Sequence, residues 1–440
     1  MVKNNKKTIA VSSKIATWLI VLMPILTMYR SIVPQVEMGT FLCVLCTPYF
    51  LYVSQRVPKA KIDGKVRSTG TVFFLYSCVT TFLAFFIGKG IIGNLLDGSE
   101  KALMLFRLLR LMYVYIFCLY LIFPLVNREY LFSAMRTVTF LAVIYIILQT
   151  LVFYLFGRVL PPFINILTKE NYSRILSAEY HKSLGLFRPM SFFYEPAHFS
   201  EYAIIYLCFA LFGKRKKPDT FGALFVTAGI LLSTSGVGIM AAVFVWGCCF
   251  FCRVFRAENT RLKQQYLCLL CLFVVCIPVV LSIEIFRNAF LRLLSPETGG
   301  AGAATIRIFP GYVLFQNMSM FNKLFGIGFG NTFNGPFLNG FVYLLIGGGI
   351  VGVILFVRFF VAMYRYATGA GRVLAASIII MIFMADIVNW IFGIYMVMVL
   401  ASGFRQKELC ITKVCETVSP KKDGSKPFFL TERSSHGNRH

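Results

Sequence analysis

The 440-residue chain is too apolar and too weakly charged for a water-soluble protein of its size. Hydrophobic residues make up 58% of it and charged residues only 14%, whereas soluble domains are nearer half apolar and a quarter charged. The net charge of +26 would suggest a nucleic-acid partner in a soluble protein, but in a membrane protein basic residues hold loops in the cytoplasm. The composition therefore predicts an all-α, polytopic integral membrane protein with no nucleic-acid partner.

Apolar runs long enough to cross a bilayer recur along most of the sequence. A helix needs roughly 20 apolar residues to cross the hydrocarbon core. The predicted spans, about twelve, are residues 15–34, 39–54, 70–88, 107–126, 137–157, 197–213, 220–234, 236–254, 266–283, 338–362, 373–388 and 389–404. We expect one transmembrane domain over residues 1–404 and a disordered, polar tail over residues 405–440.

Lysine and arginine are concentrated in alternate loops. With the N-terminus inside, the inner loops include the basic segments 55–68 and 214–219, as the positive-inside rule requires. Both termini are therefore predicted to be cytoplasmic. The two longest loops, 158–196 and 284–337, fall on the outer side, and long loops in a compact protein are usually functional or disordered. Because both contain apolar and aromatic residues throughout, we expect function there.

The first outer loop ends in a stretch that combines a carboxylate with an imidazole. Pro196 suits the first turn of a helix, and Glu195 precedes it at the helix's positive end. His198 and Tyr202 follow at spacings that bring them to the same face. This face is a candidate site of proton transfer. The alternative is that Glu195 only caps the helix and His198 lies at the membrane interface.

Two further segments are rich in glycine, hydroxyl groups or cations. The turn from Ser233 to Gly238, which includes Ser235, permits close backbone approach, although helix packing explains it equally well. In the second outer loop, Arg307 has few acidic neighbours, which suits a phosphate or an anchor to lipid headgroups. The glycines from 326 to 330 resemble a phosphate loop only superficially, because the Gly-Lys-Ser/Thr ending is missing.

Charged residues inside the predicted spans are few. Arg107 and Arg110 lie near the outer end of the fourth span, where they can reach anionic lipid or, as we favour, snorkel to the interface. Asp386, late in the eleventh span, is a candidate ionic partner for one of them or for another cation. The chain has 13 cysteines, and its three Cys-x-x-Cys spacings lie in or beside apolar segments without a nearby histidine. We therefore expect no disulfide framework, no metal and no cofactor.

Arg188, the Ser-Phe-Phe-x-Glu-Pro stretch, the Ser-Thr-Ser-Gly turn and the Gly-Ile-Gly-x-Gly segment resemble, in their order and placement, the O-antigen polymerase and ligase superfamily. Within it, the chain looks like a Wzy-type polymerase of a capsule, O-antigen or exopolysaccharide locus. The resemblance covers roughly residues 185–360. The ligases usually carry a histidine in the second long loop, where this sequence has Asn334 and Asn339. This departure favours a polymerase over a ligase and leaves the proton acceptor open.

The resemblance implies an inverting glycosyl transfer at the outer face of a bacterial inner membrane. A glycan on undecaprenyl pyrophosphate would move onto a second lipid-linked oligosaccharide, with a flippase and a chain-length regulator as further partners. The expected roles are proton acceptor for Glu195 or His198 and pyrophosphate binding for Arg188 and Arg307. The further candidates are His181, Ser191, Tyr202, Ser235, Arg107 and Arg110.

Two other classes of function compete with this interpretation. A secondary transporter or polysaccharide flippase also has about twelve helices, but its polar residues lie near the bilayer midplane, often at broken helices. The predicted spans of this chain are mostly free of charge at that depth. A ligase or a lipoteichoic-type glycosyltransferase would differ from a polymerase in its acceptor.

Overall fold

The chain is a bundle of α-helices. The computed structural model describes residues 2–27, 29, 31–32, 36–56, 62–91, 98–161, 187–213, 218–256, 260–282, 287, 311–329, 338–390 and 392–403. Within these ranges there is no β-strand. The all-α fold predicted from composition is confirmed for this part of the chain.

The helices follow the predicted spans closely. In chain order they are α1 (Val2–Leu26), α2 (Met38–Arg56), α3 (Gly64–Ile91), α4 (Gly98–Ile116), α5 (Arg128–Phe156), α6 (Pro196–Phe212), α7 (Thr220–Leu232), α8 (Gly236–Arg256), α9 (Thr260–Ser282), α10 (Met320–Phe325), α11 (Gly340–Tyr366), α12 (Ala370–Met384), α13 (Ile387–Trp390) and α14 (Phe392–Gly403). Residues 311–317 add a short helical segment. Each predicted span overlaps one of the helices.

Among the described residues, six helical stretches are long and apolar enough to cross a membrane: α2, α3, α4 with its continuation to Leu125, α5, α8 and α11. Five shorter apolar stretches accompany them, in α1, α6, α7, α12 and α14. Together with the absence of strands from the described residues, these helices define an all-α membrane protein. Many large apolar side chains on the outside of the bundle are exposed, as expected where lipid is the solvent.

Local sequence explains where several helices begin and end. Asn127, Asp219 and Asn339 each accept a hydrogen bond from a backbone N–H in the first turn of the helix that follows, which satisfies one of its otherwise unpaired donors. Gly157 ends α5 in the left-handed conformation, with φ of 64°, as is common at helix C-termini. After α4, a π-helical turn (Phe117–Ile122) and a 3₁₀ turn containing Pro124 replace the α-helix.

Hydrogen bonds between residues of different helices and their flanking loops define two ends of the bundle. At one end, which we call the Glu195 end, Gln149 near the end of α5 bonds to Ser191 before α6, and Ser200 near the start of α6 bonds to Ser233 after α7. At the opposite end, the Asn127 end, Asn127 before α5 bonds to Ser13 in α1.

α6 is the central helix, with nearly all of its side chains buried. It packs against α5, α7, α8 and α12. Its sequence is apolar around its whole circumference, which is typical of a helix enclosed by other helices. The first residues of α6 are therefore held in place by four neighbouring elements.

α11 is broken inside the bundle. Gly349 has φ of 63° and ψ of −170°, a conformation essentially restricted to glycine. The segment after α10 fills the break: the amides of Ile327 and Gly328 donate to the carbonyls of Ile346 and Gly347, both at 3.0 Å. Non-helical backbone is tolerated at membrane depth only where the protein satisfies its polar groups.

The break in α11 also explains the glycines of the second outer loop. A side chain at Gly326 would lie 2.2 Å from the Gly347 carbonyl oxygen, so only glycine fits there. The Tyr76 hydroxyl of α3 donates to the Gly348 carbonyl at 2.7 Å. The glycine segment, which resembled a phosphate loop superficially, closes a gap between helices. The sequence analysis predicted span 338–362 as one continuous helix and did not predict this break.

Candidate functional site

Glu195 lies at the N-terminus of α6. Its backbone is extended, with φ of −143° and ψ of 157°, and Pro196 is the first residue of the helix, as predicted. The side chain makes no capping hydrogen bond and has no hydrogen bond or ion pair with another described residue. The carboxylate is half-buried, at the positive end of the helix dipole. It is therefore held near the surface of the bundle without a capping role.

His198 occupies the first turn of the same helix, three residues after Glu195. It is half-buried, and its ring centroid lies 5.8 Å from that of Tyr194. Its Nδ1 atom is inaccessible to solvent. Side chains three residues apart are neighbours on a helix, so the predicted carboxylate and imidazole lie on adjacent positions of one turn.

The turn before α6 is anchored to α5 through Ser191. Its hydroxyl donates to the Ala142 carbonyl at 2.8 Å, and its amide donates to Gln149 Oε1 at 2.9 Å. Ser191 has φ of 57°, an unfavourable conformation for a residue with a side chain. This candidate residue therefore holds the loop in shape. Its hydroxyl donates within the protein rather than facing the surface.

Arg188 lies at the start of this anchored segment. It is half-buried, between the buried residues Phe187 and Pro189, and its Nε atom is inaccessible to solvent. The ring of Phe187 stacks on that of Phe153 in α5, with centroids 4.2 Å apart. The backbone at Arg188 is thus fixed against the end of α5.

Tyr202, predicted to share a face with Glu195, points into the bundle. It is fully buried, and its hydroxyl donates to the Val21 carbonyl of α1 at 3.0 Å. Its ring lies 5.1 Å from that of Phe193. This residue ties α6 to α1 and to the loop before α6.

The Ser-Thr-Ser-Gly turn between α7 and α8 packs directly on α6. The hydroxyls of Ser200 and Ser233 are 3.1 Å apart, and a side chain at Gly238 would lie 2.3 Å from Ser200 Cβ. Ser235 Oγ accepts a hydrogen bond from the amide of Gly238 at 3.3 Å. Two segments singled out from the sequence, far apart in the chain, are therefore in contact at the Glu195 end.

Thr234, in the middle of that turn, combines strain with a buried hydroxyl. Its φ is 51°, and its buried Oγ1 has no hydrogen-bond partner in the described part of the chain. Buried polar groups without a partner are rare and costly. The sequence analysis included Thr234 in the turn but did not select it as a candidate.

Glu201 is a buried carboxylate that the sequence analysis did not select. Its exposed fraction is 1%, in the second turn of α6. The hydroxyl of Tyr395 in α14 donates to the backbone carbonyl of Glu201 at 2.7 Å. An acidic residue inside an apolar span was the signal that would have identified it, because ionisable groups at membrane depth are costly and commonly functional.

Arg110 forms an ion pair with Glu37, the residue before α2. Arg110 therefore pairs with Glu37 and not with Asp386, and the pairing of Asp386 with Arg107 or with another cation stays a prediction. Hydropathy did not predict this pair, since Glu37 lies between two apolar spans. Arg107, three residues earlier in α4, is half-buried.

Other candidates lie outside the described residues. They are His181, Arg307 and Asn334, together with most of the two long loops and the tail. The proposed meeting of Arg188 and Arg307 over one diphosphate therefore stays a prediction. Asn339 is described: its Oδ1 caps α11 by accepting from Val342 N at 2.8 Å, and its Nδ2 donates to the Phe383 carbonyl at 2.7 Å.

Comparison with protein-family models and with curated protein sequences gave no match. The class that the fold defines is an all-α membrane protein. Its candidate site comprises Glu195 and His198 at the start of α6, and the turn between α7 and α8 packs on the same helix at Ser200.

Proposed function

We propose that this protein is a membrane glycosyltransferase that polymerises lipid-linked oligosaccharide repeats, using undecaprenyl pyrophosphate as the leaving group. The observation that carries the proposal is the carboxylate of Glu195. It is half-buried at a helix N-terminus, has no hydrogen bond or ion pair with a described residue, and lies three residues before His198. The sequence resemblance to Wzy-type polymerases supplies the reaction class.

In the proposed reaction, a hydroxyl oxygen of the acceptor sugar attacks the anomeric carbon of the donor glycan. The bond between that carbon and the diphosphate oxygen breaks, and its electron pair leaves with the diphosphate. Attack from the opposite face inverts the anomeric configuration. The hydroxyl proton passes to Glu195 or His198, and a well-placed general base contributes about 10²–10⁴ in rate.

The leaving diphosphate needs stabilisation of its charge. Guanidinium groups bind phosphate oxygens in bidentate fashion, and Arg188 and Arg307 are the proposed donors. Thr234 adds a buried hydroxyl without a described partner, on a turn that contacts α6. Preorganised donors of this kind are usually the largest single contribution to catalysis.

We further propose a bacterial inner-membrane location with both termini in the cytoplasm and the Glu195 end outside. The distribution of lysine and arginine among the predicted loops supports this orientation. Cysteine labelling with a membrane-impermeant reagent tests it. In a variant from which the 13 native cysteines have been removed, a cysteine introduced in the tail should react only after the membrane is opened, and one in loop 158–196 should react in intact cells.

The decisive test of function is the lipid-linked product of the mutants. In cells that make the polysaccharide, Arg188→Ala should abolish long chains and cause single lipid-linked repeats to accumulate on the outer face of the membrane. Arg158→Ala, in the same loop, is the matched control and should leave the chains intact. Normal chain lengths from Arg188→Ala would contradict the pyrophosphate role.

Two conservative mutants distinguish the proton acceptors. If the carboxylate accepts the proton, Glu195→Gln should reduce polymer formation far more than His198→Gln. The opposite ranking would assign the role to the imidazole. Equal, full activity of both mutants would refute the proposed site altogether.

The break in α11 is the one observation that favours a transporter, because broken helices are typical of transport sites. In a transporter, the freed backbone carbonyls bind the substrate or its ion. Here the carbonyls of Ile346, Gly347 and Gly348 already accept hydrogen bonds from the protein. A flippase mutant would trap lipid-linked repeats on the inner face, so the location of accumulated repeats distinguishes the two functions.

Asn339 also bears on the ligase alternative. Its side chain is engaged at both ends as a helix cap and a donor to α12. It therefore lacks the freedom expected of a residue that replaces the ligase histidine. The acceptor tests this alternative directly, since a ligase would transfer finished chains to a different surface molecule.

A further inference from the structure

A small cavity lies between the end of α1, the start of α2 and α4. Its volume is about 60 Å³. The polar part of its lining includes Glu37, Thr40 and Arg110, and the apolar part includes Leu111 and Val114. A cavity of this size holds several water molecules, which is the space of a hydroxymethyl group or one edge of a sugar ring.

Arg110 has hydrogen-bonding capacity left over in this cavity. One guanidinium nitrogen bonds to Glu37 Oε1, and the hydroxyl of Thr40 donates to Glu37 Oε2 at 3.3 Å. A guanidinium carries five N–H donors, and no other described residue accepts from Arg110. Its side chain is only 26% exposed. The remaining donors are therefore available to a ligand that brings oxygen atoms.

The charges indicate which kind of ligand fits. Glu37 neutralises Arg110 within the cavity, so a phosphate would meet an adjacent carboxylate and be repelled. A neutral hydroxyl group has no such conflict, because its oxygen can accept from Arg110 without bringing a negative charge next to Glu37. The side chains of Leu111 and Val114 offer apolar contact to the C–H face of a sugar.

We propose that this cavity is a saccharide subsite that binds the hydroxyl groups of one sugar residue. The cavity is linked to α6 through α1, since its lining residue Met23 is two residues from Val21, whose carbonyl accepts from the Tyr202 hydroxyl of α6. The assignment of this sugar to a lipid-linked repeat rests on the proposed function. The assignment of the cavity as a sugar-binding site rests on its lining residues and is independent of that function.

The test is saturation-transfer NMR on the full-length protein in detergent, with a panel of methyl hexosides and methyl N-acetylhexosaminides as probes. At least one glycoside should receive saturation from the protein, and its signal should fall at least fivefold in Arg110→Gln. Inorganic phosphate should not compete. The proposal is overturned if no glycoside gives an Arg110-dependent signal, or if phosphate displaces the glycoside at equal concentration.

Two further variants distinguish loss of the binding site from misfolding of the protein. Thr40→Ile leaves Arg110 and Glu37 in place but fills the cavity and should also abolish the signal. Arg358→Gln removes an exposed cation of α11 outside the cavity lining and should retain it. An equal loss of signal in Arg358→Gln would contradict a specific site.

The binding result and the polymerisation result can fail separately. A glycoside signal that depends on Arg110, together with normal polymer in Arg188→Ala, would keep the subsite and refute the proposed function. Loss of polymer in Arg188→Ala without any glycoside signal would refute the subsite alone.

Discussion

The two ends of the helix bundle differ in how fully the protein engages an acidic side chain. At the Asn127 end, Asp219 is fully engaged: it bonds to the Tyr206 hydroxyl at 2.6 Å and to Arg136 at 3.2 Å, and it caps α7 through the amide of Gly222. At the Glu195 end, Glu195 has no comparable bond to a described residue, and Thr234 holds a buried hydroxyl that lacks a described partner.

Backbone strain follows the same division. Among the described residues, positive φ in residues other than glycine occurs at Ser191 and Thr234, and both lie at the Glu195 end. The other described residues with a positive φ are glycines, which adopt this conformation at little cost. Strain and unsatisfied groups persist where function requires them. We propose from this comparison that the Asn127 end serves stability and that the Glu195 end serves the proposed reaction.

We expect the largest effect from a substitution of Gly349, the glycine with positive φ at the break in α11. In Gly349→Ala, the new side chain would meet the Leu324 carbonyl oxygen at 2.4 Å in a conformation that alanine avoids, so we expect a loss on the order of 3 kcal/mol or more. Gly157→Ala is the matched control, because its φ is also positive but nothing lies within 4 Å; it should cost about 1 kcal/mol. Thermal unfolding in detergent measures both. Equal losses would show that the break in α11 is not tightly packed.

Asp219→Ala should damage stability rather than activity. It removes a helix cap and a charge-assisted hydrogen bond from Tyr206, together about 2–4 kcal/mol, whereas the ion pair with the half-exposed Arg136 adds little. Thermal unfolding and the polysaccharide chain length of folded protein are the measurements. Loss of polymer from a protein of unchanged stability would contradict the division between the two ends.

Substitutions at Ser191 separate strain from hydrogen bonding. Ser191→Ala keeps the positive φ and loses the hydrogen bond to Ala142, so we expect destabilisation of about 1–2 kcal/mol. Ser191→Gly loses the same bond but relieves the strain, and should recover up to about 1 kcal/mol of it. If alanine and glycine are equally tolerated, the turn is less strained than its φ indicates.

Thr234→Val should change the free energy of unfolding least among these variants. Unlike the others, it should increase stability. Valine keeps the shape and removes the hydroxyl that lacks a described partner, so the free energy of unfolding should rise by about 1 kcal/mol. Polymer formation should fall, because the proposed diphosphate loses a donor. A variant that is more stable and fully active would show that the hydroxyl has no role in the reaction.

Hydropathy along the chain was enough to predict the helices, because lipid requires each span to be a continuous apolar run whose backbone bonds are internal. It was also enough to predict that Pro196 begins a helix with Glu195 before it. The pairing of Arg110 with Glu37 and the contact of Ser200 with Ser233 were not predictable in this way. They join residues that are 73 and 33 positions apart, and no local pattern encodes such a contact.

The sequence by itself determined the class of the protein, the positions of its apolar helices and the segment in which a carboxylate and an imidazole lie three residues apart. Only the tertiary structure decided that α11 is interrupted at Gly349, that Tyr202 and Ser191 are engaged inside the bundle, and that Glu201 is buried. The physical reason is that hydropathy and helical periodicity are properties of residues that are close together in the chain. Burial and hydrogen bonding depend on which helices meet, and that is decided by packing of the whole bundle.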